Sequence, residues 1–312
     1  MLRIGTDCSG IEAPIEALNQ LGIPFEHKWA CEIDRFARTS ILANYQPEIM
    51  YEDITKRDNS QLPDIDIYVC GFPCQSFSLM GKKLGTSDPR GNIMMHCIDV
   101  IKKKNPNIFI LENVKNFKFI EGGKPFNFLI DSLTNIIDED SEQVYNIYPD
   151  IYNTKNYGIP QNRERIYIVG IKKDIQLCDY EKPQPLPMKL LNDFILNKTI
   201  NIIYIPSSVL SKKIKNKSQN FICPVDTFTK GMYDICPTLT TNSNTMYINT
   251  YNRFLSTHEC LLLQGFSVNF KQVISNYQMY KQIGNSMSVN VLKEIFQNIF
   301  DCTVFKEIFT CN

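Results

Sequence analysis

LRIGTDCSGIEAPIEALNQLGIPFEHKWACE, residues 2–32, sets the architecture. An apolar run opens it at 2–4, a helical stretch follows at 14–21, and a second apolar run closes it at 27–31. The pattern then repeats. Apolar runs recur at 65–70, 108–111 and 166–171, with helical stretches at 34–44, 92–104 and 126–137. In the last of these, Leu129, Ile130, Leu133, Ile136 and Ile137 keep three-to-four spacing. Strand runs without strict alternation, each followed by a helix, predict an α/β fold with a mostly parallel sheet covered on both faces. In such sheets ligands gather beyond the carboxyl ends of the strands, and the polar clusters of this chain fall at such ends.

The pattern changes after residue 171. DYEKPQPLP, 179–187, holds three prolines in nine residues and reads as a boundary. Residues 188–250 are less regular, with short β-rich pieces such as 200–205, lysines at 212, 213, 215 and 217, and the polar run TLTTNSNTMYIN. Helical periodicity returns at 289–300, where Leu292, Ile295, Phe296 and Ile299 share a face. The expected division is residues 1–185 with 280–312 as one domain and 186–279 as a smaller second one.

Over 312 residues, 33 basic and 33 acidic side chains leave no net charge. Bulk charge therefore excludes a basic nucleic-acid coat or tail. The balance is not even along the chain. Residues 1–170 carry 18 basic and 23 acidic groups, and residues 171–252 carry 10 and 6. A polyanion gripped by the middle segment fits that split, and a coding bias toward Lys fits it too. Eleven scattered cysteines without a CxxC pair read as free thiols in a reducing compartment. Three histidines without ligand spacing argue against a metal. With no leader-like N-terminus and no apolar stretch of membrane-spanning length, an intracellular, non-membrane protein is expected.

Three segments carry chemistry. In VCGFPCQSFS, 69–78, a strand ends at Cys70, Gly71 permits a bend, and Pro73 fixes φ just before Cys74. A thiolate there, near cations and backbone N–H donors, would be a nucleophile; a strand-end turn with a buried cysteine reads equally well on this segment alone. In FILENV, 109–114, Glu112 follows an apolar strand, where semi-burial would raise its pKa and let it donate a proton near neutrality. In YGIPQNRERIYIVG, 157–170, Arg163 and Arg165 lie two apart on an extended approach to the next strand, suited to holding a carbonyl oxygen or phosphate. An ordinary ion-pair network at the sheet edge is the alternative for both.

The ordered set GFPCQSFS, ENV, QNRER, RFLSTHECLLLQGF and YKQIGNSMSVNV resembles the cytosine-5 DNA methyltransferases, including single-polypeptide bacterial, phage and viral modification enzymes. The resemblance spans residues 3 to 300 apart from the middle segment. It implies a seven-stranded, Rossmann-like methyltransferase sheet dependent on S-adenosylmethionine, with S-adenosylhomocysteine as product, and a small β-rich target recognition domain. It further implies that Cys74 adds to cytosine C6, that Glu112 contacts N3 and the exocyclic amine, that Arg165 holds O2 and that Arg163 supports the site. Addition is needed because C5 of the aromatic ring is not itself nucleophilic. The base would be flipped out of duplex DNA, since neither ring face is accessible within the stack.

On the cofactor side the resemblance assigns Cys8, Ser9, Gly10, Ile11 and Glu12 to the first loop. Glu32 and Ile33 would lie at the ribose and adenine, with Asp53 and Ile54 at adenine, Pro73 at the methyl-donor cleft, and Asn285 and Ser286 closing the pocket. The first loop, TDCSGIEAP, departs from the family. Cys8 takes the usual aromatic position and Glu12 replaces a glycine, Ile33 replaces a common aromatic, and Asp7 is an open substitute for a displaced acid. Modest cofactor affinity is the expected result.

Gln75, Ser78, Lys82, Lys83 and Arg90 match the loop that closes over the flipped base. Lys212, Lys213, Lys215 and Lys217 would meet phosphates, and Thr238 and Leu239 of PTLTTN match a recognition-domain element. Double-stranded DNA is the implied partner, a monomer the expected state, and a restriction endonuclease encoded nearby a further partner. A tRNA cytosine-5 methyltransferase is one alternative, since TFTKG at 227–231 is weakly similar to a segment of that branch. An inactive DNA-binding relative is another.

Overall fold

The computed structural model describes residues 1–73, 93–199, 220–224 and 231–307. Its main sheet has seven strands. β1 (Leu2–Asp7), β2 (Phe25–Cys31), β3 (Ile49–Tyr51), β4 (Ile67–Cys70) and β5 (Ile108–Val114) run parallel in the order β3-β2-β1-β4-β5. β6 (Tyr145–Asn153) and β8 (Glu164–Lys172) extend that row antiparallel, with β8 between β5 and β6; the two-residue β7 (Gln161–Asn162) lies just ahead of β8. Because β8 runs the other way, its N-terminal end lies at the carboxyl ends of the parallel strands. Val114 pairs with Arg165 there.

Both faces of this sheet are covered. α1 (Ala13–Leu21), α2 (Arg35–Asn44), α3 (Ile93–Lys104) and α4 (Lys124–Thr134) follow strands as the apolar spacing predicts. Alternate residues of β4 serve opposite faces. Ile67 and Val69 pack with Ile15 and Leu18 of α1, while Tyr68 and Cys70 pack with Ile98 and Ile101 of α3 and Leu129 and Leu133 of α4. α4 stops at Thr134, short of the expected 137; Ile137 instead bridges to Gln143 in a turn and is exposed.

The sequence after the proline-rich boundary holds a second, antiparallel sheet. It consists of β9 (Phe221–Pro224), β10 (Met232–Tyr233), β12 (Met246–Ile248) and β13 (Arg253–Phe254), in the order β10-β9-β12-β13. β11 (Cys236–Pro237) joins β7 instead, so this region is tied directly to the approach to β8. The expected β piece at 200–205 lies outside the described residues. α5 (Thr257–Leu263) starts in a capping box, with Ser256 and Glu259 each bonding the other's backbone N–H. α6 (Asn276–Asn285) and α7 (Val289–Asp301) follow. The apolar face of α7 packs in the same core as α1, so the chain's end covers the sheet beside its beginning. No described helix is long and apolar enough to cross a membrane.

Candidate active site

The carboxyl ends of β1, β2, β4 and β5 converge on one cavity of about 330 Å³. Cys8 and Gly10 reach it beyond β1, Glu32, Ile33 and Asp34 beyond β2, Gly71, Phe72 and Pro73 beyond β4, and Glu112, Asn113 and Val114 at the end of β5. Arg163 and Arg165 close it from the antiparallel side. Gln282, Gly284 and Asn285 close it from α6.

One end of the cavity is built from backbone amides and a carboxylate. Gly10 N–H donates to Glu32 Oε2 at 3.1 Å and Asp34 N–H to Glu32 Oε1 at 3.0 Å, which fixes the carboxyl at the pocket wall. Burial pushes the Glu32 pKa up against those stabilising amides. Ile33 is 73% exposed and offers an apolar side to the same space. Asp34 accepts from Phe36 and Ala37 N–H and so caps α2.

The other end holds Glu112. Arg165 Nε lies 3.2 Å from its Oε1, and Asn113 Nδ2 donates to the carbonyl of Phe72 at 3.0 Å, clasping β5 to the segment that leads to Pro73. Gly71 is required beside it: a Cβ there would lie 2.7 Å from Met287 Cε, 3.1 Å from the Cys8 carbonyl oxygen and 3.6 Å from Glu112 Oε2. Burial raises the Glu112 pKa above the usual carboxylate value, opposed by Arg165 and then Arg163. The expectation of a carboxyl with a raised pKa is met, and loss of hydration is the cause.

Arg163 is fully buried and acts as a strut. Its Nη1 donates to the Leu239 carbonyl at 2.7 Å, and its Nη2 to those of Ser286 at 2.7 Å and Gly284 at 3.1 Å. Burial and the neighbouring Arg165 lower its pKa to about 9, so it stays charged at neutrality. Gln161 Nε2 donates to the Leu263 carbonyl and to Gln264 Oε1, and Gln264 Nε2 donates to the Ile283 and Ser286 carbonyls. Four separate segments meet in this buried polar network: 161–163, 239, 263–264 and 283–286.

Cys74 and the loop residues Gln75, Ser78, Lys82, Lys83 and Arg90 lie outside the described residues, as do Lys212, Lys213, Lys215 and Lys217. Pro73, directly before Cys74, is exposed at the cavity rim. The placement of Leu239 at DNA is corrected: its side chain is wholly buried, with its carbonyl on Arg163 and its N–H on Gln161 Oε1. Thr238 donates its hydroxyl to the Asn162 carbonyl. Ser9, Ile11 and Glu12, expected at the cofactor, are buried beneath the turn and are not among the residues that line the cavity. Ser286 is buried too and offers its carbonyl to Arg163 and Gln264. Asp53 caps a short 3₁₀ turn through Thr55, Ile54 is buried, and neither is among the lining residues.

Asp7 is spent on structure: it pairs with Arg57 through both oxygens and accepts from Tyr68 Oη at 2.7 Å and Trp29 Nε1 at 3.2 Å. Residue-by-residue reading missed Asn113, Gln161, Gln264 and Gln282. Each sits inside a motif already quoted (ENV, QNRER, LQGF, YKQIGN), which was the available signal.

A sequence model of the C-5 cytosine-specific DNA methylases matches residues 6–222 and 193–301. The type II methyltransferase M1.ScrFI of Lactococcus lactis subsp. cremoris is 34% identical over 295 residues, covering 88% of this chain and 72% of that protein. M.Bsp6I of a Bacillus species is 30% identical over 319 residues, covering 96% and 99%. Among solved structures, a DNMT2 variant from Spodoptera frugiperda superposes with a TM-score of 0.72 at 19% identity, over 96% of this chain and 100% of that one, a likeness of fold. With a seven-stranded, mostly parallel sheet and residues of ENV, QNRER and YKQIGN lining one cavity, the chain is an enzyme of the C-5 cytosine-specific DNA methylase family.

Proposed function

We propose that the protein methylates C5 of a cytosine flipped out of duplex DNA, with Cys74 as nucleophile. The observation that carries this reading is the cavity itself. Glu112, bonded to Arg165, lines it together with Pro73 and with the Gly10–Glu32 pair. The part around that pair fits S-adenosylmethionine: Glu32 can accept from ribose hydroxyls, Ile33 can pack on adenine, and the volume suits a small ligand. When bound, that cofactor supplies the methyl group and leaves as S-adenosylhomocysteine.

The chain's own residues supply the rest. The Cys74 thiolate adds to C6, which makes C5 electron-rich. Glu112, whose hold on a proton is strengthened by burial, donates to N3 and accepts from the exocyclic amine, limiting the charge on the ring. Arg165 donates to O2 while its bond to Glu112 keeps both groups aimed at one base. Arg163 positions the site from behind through its three carbonyl partners. Loss of the C5 proton and expulsion of Cys74 complete the reaction.

Residues 1–185 with 280–312 then form the catalytic domain and 186–279 the recognition domain. The four-stranded sheet of β10, β9, β12 and β13 and the packing of α7 against α1 support that division. The lysines at 212–217 are assigned to phosphates, and the names of the type II relatives support a nuclease encoded nearby as partner. The test is methyl transfer from labelled cofactor to duplex DNA and to bulk tRNA, followed by bisulfite mapping of modified DNA. Transfer to DNA that disappears in Cys74→Ala while DNA binding persists is the expected result. Preference for tRNA, or turnover without Cys74, refutes it.

A further inference from the structure

The family glycine that Glu12 replaces stands at a left-handed position. Glu12 has φ 65° and ψ 47° and immediately precedes α1, a conformation that costs a side-chain-bearing residue and suits glycine. A residue kept there against its backbone preference implies work for the side chain. That side chain is wholly buried under the turn that lines the cavity. Its Oε1 accepts the Ser9 hydroxyl at 2.6 Å and the Thr6 hydroxyl at 2.7 Å, and its Oε2 has no partner among the described residues. Thr6 Oγ1 in turn lies 3.2 Å from His27 Nε2 on β2.

We propose that Glu12 is a positioning residue: sealed beneath the turn, its carboxyl holds residues 8–10 in place for the methyl donor by gripping Ser9 and Thr6. Ser9 sits between the two residues of that turn that line the cavity, Cys8 and Gly10, so a fixed Ser9 fixes both. Gly10 N–H then meets Glu32 without first being ordered.

Among the described residues no cation faces the carboxyl. His27, with its Nε2 3.9 Å from Oε1, is held neutral by burial, which lowers its pKa to about 4. The other titratable neighbours are Asp7 on β1, Glu32 beyond β2 and Tyr45 beyond α2, all anionic when charged. Burial accordingly raises the Glu12 pKa to about 7, and ionisation places an unpaired charge under the turn.

This inference rests on the cavity being the methyl-donor site, and the experiment separates the two. S-adenosylhomocysteine, whose sulfur is uncharged, is titrated calorimetrically into wild-type protein, Glu12→Gln and Glu12→Gly between pH 6 and 9. In parallel, alkylation of Cys8 by N-ethylmaleimide is timed by peptide mass spectrometry without cofactor. Wild-type affinity should fall several-fold as pH rises through about 7, whereas Glu12→Gln should bind within twofold of the low-pH value throughout. Glu12→Gly relieves the backbone and removes the grip; it should bind about tenfold more weakly and expose Cys8 to alkylation several-fold faster. Equal binding and equal Cys8 reactivity in Glu12→Gly overturn the proposal, since the position then needs only a permissive backbone. A tenfold loss in Glu12→Gln overturns the uncharged form. Wild-type protein that binds no S-adenosylhomocysteine overturns the assignment of the cavity, and this inference with it.

Discussion

At the residue scale two buried carboxyls set the pH behaviour, with consequences of different kinds. Glu112 has its pKa raised by burial, so its protonated form persists above the usual carboxylate range. If that proton is used in catalysis, kcat/KM falls as pH rises through the elevated value; a Glu112→Gln variant should lose about a hundredfold or more in methyl transfer while keeping DNA affinity. Pre-steady-state turnover with a gel-shift control checks both. Glu12 acts on stability instead. Its folded pKa of about 7 lies above its value in the unfolded chain, so its contribution is fully present below pH 4.5 and is lost as pH rises through about 7. The loss amounts to about 3 kcal/mol. Urea midpoints between pH 4.5 and 8 should slope downward in wild-type protein, and Glu12→Gln should lack that component.

At the element scale, what matters is how segments far apart in sequence are locked together. Gly284, on α6, lies against the backbone of residues 240 and 241: a Cβ there would sit 2.1 Å from the Thr240 carbonyl carbon. Backbone cannot step aside as a flexible side chain can, so Gly284→Ala should cost about 2 kcal/mol or more in chemical denaturation. Arg163→Ala strips donors from three carbonyls and should cost about 3 kcal/mol or more by the same measurement.

The strands and helices with strong periodicity were legible in sequence to within a few residues, because a strand covered on both faces must be apolar throughout. β6 was not. Its YNIYPDIYN carries a proline and an aspartate and is half-buried, which a strand at the sheet's edge tolerates and a central one does not. The site was legible where chemistry demands a residue type, as at Glu112 and Arg165. It was illegible where a side chain turns inward, as at Leu239 and Glu12, because nothing in the local sequence says which way a loop residue faces.

At the scale of the whole molecule, zero net charge conceals an acidic first half and a basic middle. DNA affinity should therefore decline steeply with salt despite the neutral total. The double substitution Lys212→Ala, Lys213→Ala should lower the slope of log Kd against log salt by about two, with target sequence unchanged. An unchanged slope would remove those lysines from the interface.

The closure of the cavity by α6 and the packing of α7 on α1 bear on when the protein becomes competent during its synthesis. A ribosome that has delivered 270 residues has made every strand of the main sheet, yet the clasp around the Arg163 guanidinium still lacks the Gly284 and Ser286 carbonyls. Until residues 276–286 emerge, Arg163 lacks two of its three carbonyl partners and one wall of the pocket is missing. A chain cut before residue 276 should therefore be silent rather than half-active, which methyl transfer by such a truncation checks. The fold makes a segment that leaves the ribosome after the whole main sheet a condition of the site it completes.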